Sequence, residues 1–151
     1  VSIKTKDYLL VAVQFILFVL YLYNPFYKVF TLTSVIKYVA LFLVFIGIVI
    51  LILSVFALRK SLSPFPSPVK NGSLINSGVY QFVRHPIYTS ILISTAGWAL
   101  YTGSLFRIFI FIALFLLFEI KSNFEEKLLM KKYDNYLKYK KTTGKYFPKI
   151  N

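Results

Sequence analysis

Residues 38–58 read YVALFLVFIGIVILILSVFAL, twenty-one positions with no charge and a single glycine. A helix needs about 20 apolar residues to cross the hydrocarbon core of a bilayer, so this stretch reads as a membrane span. Working outward, residues 8–27 form another uncharged run, with Asn24 and Pro25 near its end. Residues 86–106 form a third, but Thr102, Gly103 and Ser104 read as a turn, which limits that helix to about residues 86–101. A fourth run, residues 105–118, is interrupted only by Arg107. The third helix would be roughly 24 Å long, shorter than the roughly 30 Å core. The expectation is an all-α integral membrane protein of about four transmembrane helices. The last two form a short hairpin, followed by a cytoplasmic C-terminal helix and tail.

The composition of the 151 residues agrees. Apolar residues make up 58% and charged residues 15%, against about 25% charged in soluble domains. A net charge of +13 could suit a nucleic-acid binder, but so much apolar surface cannot be buried in a globule of this size. Nucleic acid is therefore not an expected partner. The absence of Cys removes disulfides and thiolate metal sites. One His and five acidic residues argue against a dedicated metal cage. Lys4 and Lys6 precede the first apolar run as in a signal peptide, but no small-x-small cleavage site follows, so it reads as a retained anchor.

Lys and Arg set the expected orientation. With four segments, fifteen fall on one side: Lys4, Lys6, Arg59, Lys60, Lys70, Arg84 and the nine lysines from Lys121 onward. Lys28, Lys37 and Arg107 fall on the other. Both termini and the central loop are thus expected in the cytoplasm, with the functional groups at that face.

Two polar segments follow the first two spans. In residues 59–85, Pro64, Pro66 and Pro68 alternate and favour extended backbone. Asn71-Gly72 signals a turn. Pro86 suits the first turn of a helix and pushes His85 out of helical geometry. Such a helix start attracts anions. By residue type alone, this loop can equally be a connector with an interfacial Arg and His. In the tail, no Pro or Gly interrupts residues 119–141, so the last helix is expected to run on to about Lys141. Glu125 and Glu126 diverge by about 100° on that helix. The lysines would hold anionic headgroups, with Tyr133, Tyr136, Tyr139 and Tyr146 as interface aromatics.

Two motifs resemble a known family. Ser77-Gly78-Val79-Tyr80, three residues, then Arg84-His85-Pro86-Ile87-Tyr88 is similar to a stretch of the isoprenylcysteine carboxyl methyltransferases. Glu125-Glu126-x-x-Leu129, then Tyr136-x-x-Tyr139-Lys140-Lys141 and Pro148, is similar to the C-terminal motif of that family. The resemblance covers roughly residues 70–149, and phospholipid N-methyltransferases share the general plan. It implies an integral-membrane enzyme using S-adenosylmethionine and a lipid-like or prenylated substrate entering from the bilayer. Carried over, Gly72, Ser73, Leu74, Ile75, Tyr80, His85, Pro86, Ile87 and Tyr88 would line the cofactor pocket. Glu125 would bind the cofactor and Glu126 would support or share that role. Arg84 and Lys121 would orient the acceptor. Residues 1–58 would anchor, and residues 59–151 would form one cofactor-binding region.

There are departures. Ser90 stands where the family often has Gly, and Tyr133-Asp134 replaces a Phe-Gly pair with one residue fewer. Lys121 replaces an Arg associated with the substrate carboxylate, and Lys supplies charge but not a bidentate fork. Three readings therefore stand. One is a carboxyl methyltransferase of isoprenylcysteine type. Another is a lipid-amine methyltransferase, with Glu126 or His85 taking the proton. The third is a non-catalytic membrane scaffold of the same fold.

Overall fold

The computed structural model describes residues 2–25 and 30–149. Tyr27, the expected end of the first run, and Lys28, counted in the charge balance, lie outside the described residues. Five α-helices and no strands are present among those residues: α1 (Ile3–Tyr23), α2 (Ser34–Leu58), α3 (Pro86–Thr102), α4 (Leu105–Lys132) and α5 (Tyr136–Thr142). Short 3₁₀ turns lie at Arg59–Ser61 and Gly78–Gln81.

The helix ends follow local chemistry. Ser2 caps α1 by accepting from the Thr5 amide at 3.2 Å. The helix stops at Asn24, which takes the left-handed conformation (φ 36°) just before Pro25. Pro86 opens α3, and Gly103 closes it with φ 62°. Ser104 then caps α4 by accepting from the Arg107 amide at 3.2 Å. Two residues therefore reverse the chain and make α3 and α4 a hairpin.

Helices α1 and α2 are long and apolar enough to cross a bilayer. Most of their apolar side chains face outward, including Leu9, Phe15, Ile16 and Val19 on α1 and Phe42, Phe45, Ile52 and Phe56 on α2. On α4, Phe109, Ile112, Leu116 and Ile120 continue this exposed apolar surface. Its extent fits a lipid environment rather than water.

Helix α2 packs along α3, α3 against α4, and α1 against α4. The α2–α3 seam is unusually close. A Cβ at Gly97 would lie 2.6 Å from the Ala40 carbonyl oxygen, and one at Gly47 would lie 2.8 Å from that of Ser90. Small residues let helix backbones approach in this way without water to drive association. Beside the seam, Tyr21, Leu92, Ile110, Leu114 and Phe118 form a buried core.

The tail departs from expectation. Helix α4 ends at Lys132, and Tyr133 is extended (φ −126°, ψ 114°), so no continuous helix reaches Lys141. The Tyr133 hydroxyl donates to the Gly72 carbonyl at 2.7 Å, and Lys132 Nζ donates to the carbonyls of Val69 and Lys70. Asp134 and Asn135 follow, both of which compete with helical backbone bonding. Tyr136, Tyr139 and Tyr146 are buried rather than interfacial.

Candidate functional site

The site forms where the start of α3, the second half of α4 and the tail converge. His85 has non-helical backbone (φ −123°, ψ 59°) ahead of Pro86. From this corner Arg84 and His85 both reach α4. Arg84 Nε donates to Glu126 Oε1 at 2.9 Å, and His85 Nε2 lies 3.2 Å from the same oxygen. Lys140 Nζ reaches Glu126 Oε2 at 2.8 Å. Arg84 Nη1 donates further to the carbonyls of Lys140 and Thr143. Burial pushes the Glu126 carboxyl up, but the hydrogen bonds from His85, Lys140 and Arg84 prevail and hold it far below the usual carboxylate range.

Glu125 faces elsewhere, as adjacent helical positions must. Its side chain is 27% exposed, against 3% for Glu126, so Glu125 is the acid open to solvent-accessible space. The Tyr88 hydroxyl donates to Glu125 Oε2 at 2.8 Å, and His85 Nδ1 lies 3.8 Å from it. Tyr88 is stacked between two rings, His85 at 5.3 Å and Phe118 at 4.7 Å between centroids. This column fixes both the imidazole and the phenol.

The tail clasps the corner. The amides of Arg84 and His85 donate to the carbonyls of Gly144 and Lys145 at 2.8 and 3.1 Å, with one parallel bridge pairing Val83 and Gly144. Thr89 Oγ1 donates to the Tyr146 carbonyl at 3.0 Å, and Lys145 pairs with Glu119 at 2.6 Å. A Cβ at Gly144 would fall 1.7 Å from the Phe147 carbonyl oxygen, so this turn requires glycine.

In front of the column lies a cleft of about 320 Å³. Tyr80, Arg84, His85, Ile87, Tyr88, Lys121 and Glu125 line it, together with Gln14 of α1 and Val55 and Leu58 of α2. A chamber of about 100 Å³ adjoins it beneath the proline-rich loop and shares Tyr80, Arg84 and Glu125. Leu74 and Ile75 line the chamber, as do Ser67, Tyr136 and Tyr139. Ser67 Oγ and the Tyr136 hydroxyl are buried there without a hydrogen-bond partner. Burial also raises the Tyr80 and Tyr136 phenols well above their ordinary value, so both stay protonated.

The structure thus brings nine of the thirteen expected site residues to these walls. Gly72, Ser73, Pro86 and Glu126 are not on them. Gly72 holds Tyr133, Ser73 bonds with Ser61, and Glu126 sits in the ion cluster behind the wall. Sequence reasoning missed Gln14, Ser67, Tyr136 and Tyr139. Gln14 left a signal: it is an amide in the middle of an apolar run, where polar groups mark function.

The family model described as phospholipid methyltransferase matches residues 35–136, more than half of the chain. The chain belongs to the phospholipid methyltransferase family. Its family is one of membrane methyltransferases, in keeping with the two apolar helices. No curated protein matches the sequence. The match takes in α2, the α3–α4 hairpin and the motif residues Tyr80 to Glu126. Helix α1 and the clasping tail beyond Tyr136 lie outside it.

Proposed function

We propose that this phospholipid methyltransferase family member transfers a methyl group from S-adenosylmethionine to a lipid-borne acceptor in the cleft before Tyr88. One observation carries the reading: Glu125 is an open carboxylate, fixed by Tyr88, while its neighbour Glu126 is engaged by Arg84, Lys140 and His85.

The residues present fit the cofactor. S-adenosylmethionine supplies an electrophilic methyl on a sulfonium, together with an ammonium, a carboxylate and ribose hydroxyls. Glu125 suits the ammonium or the hydroxyls through charge-assisted hydrogen bonds. The faces of Tyr80 and Tyr88 suit a cation. The unpartnered hydroxyls of Ser67 and Tyr136 offer polar partners in the adjoining chamber. Glu126, with Arg84, His85 and Lys140, keeps the corner in place. Arg84 therefore acts as a positioning residue, and Lys121 is left to orient the acceptor.

The family favours a phospholipid amine as acceptor. An amine must lose a proton. Glu126 is unsuited to accept it, because its neighbours hold its carboxyl so low, which leaves His85 through Nδ1, the ring nitrogen on the Glu125 side, while Nε2 faces Glu126. A second reading, a carboxylate of isoprenylcysteine type, is supported by the Ser77 to Tyr88 motif and by the ammonium of Lys121. A carboxylate is already ionised and needs no base, so alignment and water exclusion would supply the catalysis. The reading also takes α3 and α4 as a membrane hairpin, with both termini and the site on the cytoplasmic side. Residues 59–151 then carry the chemistry, while α1 and α2 anchor the chain and wall the lipid side. The exposed lysines of the tail would rest on anionic headgroups.

Calorimetry in detergent tests the cofactor: wild type is expected to bind S-adenosylmethionine, and absence of binding would leave only a scaffold. Presenting phosphatidylethanolamine and a farnesylcysteine with labelled cofactor then separates the acceptors. Label in the amine lipid alone removes the carboxyl reading, and the reverse removes the amine.

A further inference from the structure

Helix α1 lies outside the span that matches the family, yet it supplies part of the cleft wall through Gln14. Gln14 is on the inward stripe of α1, with Leu10, Val11 and Tyr21 also facing the protein. Its Oε1 accepts a short hydrogen bond from Lys121 Nζ on α4.

Lys121 is 1% exposed. Its ammonium also lies 5.6 Å from the centroid of the Tyr88 ring. Among the described residues, no carboxylate lies within 4.0 Å of it. The other two basic groups on the cleft, Arg84 and His85, are already turned to Glu126. Asp7 sits two turns earlier on the same stripe of α1, buried, with Oδ1 unpartnered. Glu125 and, more weakly, Asp7 attract Lys121 at longer range without forming a contact pair. The contact partners of this buried cation are a neutral amide and a ring face, and the carboxylates compensate its desolvation only at longer range. An incoming anion would correct that deficit.

We infer that Gln14 is a specificity-determining residue, and that with Lys121 it forms a two-point clamp for the oxyanion of a lipid-linked acceptor. The oxyanion is a phosphodiester or a carboxylate. Lys121 Nζ and the Gln14 amide nitrogen both donate to it, and the acyl or prenyl chain lies along α1. The inference rests on the methyl-transfer reading for its acceptors, but not for its binding test. Gln14 is a donor and acceptor of no net charge, so it positions the ammonium without cancelling it. A carboxylate at the same place would pair with Lys121 and repel the acceptor.

The test uses the full chain in dodecylmaltoside micelles, which contain no oxyanion, with variants Gln14→Glu, Gln14→Leu and the lipid-facing control Ile16→Ala. Dodecyl phosphate binding is read by calorimetry and needs no turnover. Gln14→Glu is expected to weaken it at least tenfold, Gln14→Leu about threefold, and Ile16→Ala not at all. Circular dichroism and melting curves establish that each variant is folded, and Gln14→Leu carries the test if Gln14→Glu is not. Methyl transfer to phosphatidylethanolamine, to farnesylcysteine and to hexadecylamine identifies which oxyanion is used. Gln14→Glu is expected to raise KM for the oxyanion-bearing acceptor relative to hexadecylamine, with kcat little changed. Dodecyl phosphate that binds all variants equally, or does not bind, overturns the clamp, as does an equal rise in KM for every acceptor. Clamp binding without any methyl transfer would sink the enzymatic reading alone.

Discussion

Arg84 Nε and Glu126 Oε1 meet at 2.9 Å across forty-two residues of sequence, with side chains only 8% and 3% exposed. A pair this buried contributes through the cost of breaking it rather than through its net attraction. Stranding a buried charge outright costs about 3–5 kcal/mol; without Arg84 the Glu126 carboxylate keeps Lys140 and His85, so the loss should fall below that range. Arg84→Met is therefore expected to lower the melting temperature in detergent and, by removing the bonds to the Lys140 and Thr143 carbonyls, to loosen the tail, which limited proteolysis after residue 133 would report. Unchanged melting would show that the ion cluster is not what holds the corner.

The same carboxylate predicts an acid limb. The folded state holds the Glu126 carboxyl far below its ordinary value of 4.5. A depressed carboxyl contributes stability that is present above the unfolded value and is lost as pH falls toward the folded one. Melting temperature should thus decline as pH drops below about 4.5. In Glu126→Gln the decline should be shallower, starting from a lower plateau. Parallel curves for the two proteins would refute the linkage.

Glu125→Gln separates binding from folding. Its side chain is partly exposed and lies outside the cluster around Glu126, so melting should change little. Cofactor affinity, measured by calorimetry, should fall tenfold or more, because a charge-assisted contact is lost. A large drop in melting temperature with retained affinity would reverse the roles given to the two acids.

Tyr88→Phe keeps the ring stacked between His85 and Phe118 but deletes the 2.8 Å bond to Glu125. A net loss of about 0.5–1.5 kcal/mol is expected in cofactor binding, roughly two- to twelvefold. Tyr88→Leu removes the column as well and should lose more. Equal losses would mean that the stacking contributes nothing.

At the α2–α3 seam, Gly97→Val would push a branched side chain toward the Ala40 carbonyl, already only 2.6 Å from an ideal Cβ. Overpacking of this kind costs about 1–3 kcal/mol, and more where backbone must move. Thermal unfolding of the variant checks it, and a wild-type melting temperature would argue that the seam is loose.

Much of the scaffold was legible because its causes are local. Pro86 and Gly103 mark the two ends of α3, and the uncharged run at 38–58 makes a helix wherever it is placed. The residues from Tyr80 to Tyr88 that the motif singled out lie, Pro86 apart, along the cleft wall. What was not legible depends on distant partners. The break after Lys132 follows from contacts of Lys132 and Tyr133 with the loop sixty residues earlier. The burial of Tyr139 reflects its bond to the Tyr80 carbonyl. Gln14 and Lys121 are 107 positions apart, and no local pattern announces that they touch. Glu125 and Glu126 were adjacent and chemically identical on paper. Only the surroundings of α4 assign one to the cleft and the other to the cluster.

The tail clasp has a consequence for biogenesis. Gly144 and Lys145 leave the ribosome after all five helices, yet their carbonyls complete the corner that holds Arg84 and His85. The hydrophobic helices can therefore insert while Glu126 still lacks Lys140 and the constraint of the clasp. The corner closes only when this segment docks, so on the methyl-transfer reading a nascent chain stalled before residue 144 would be embedded in lipid but inactive.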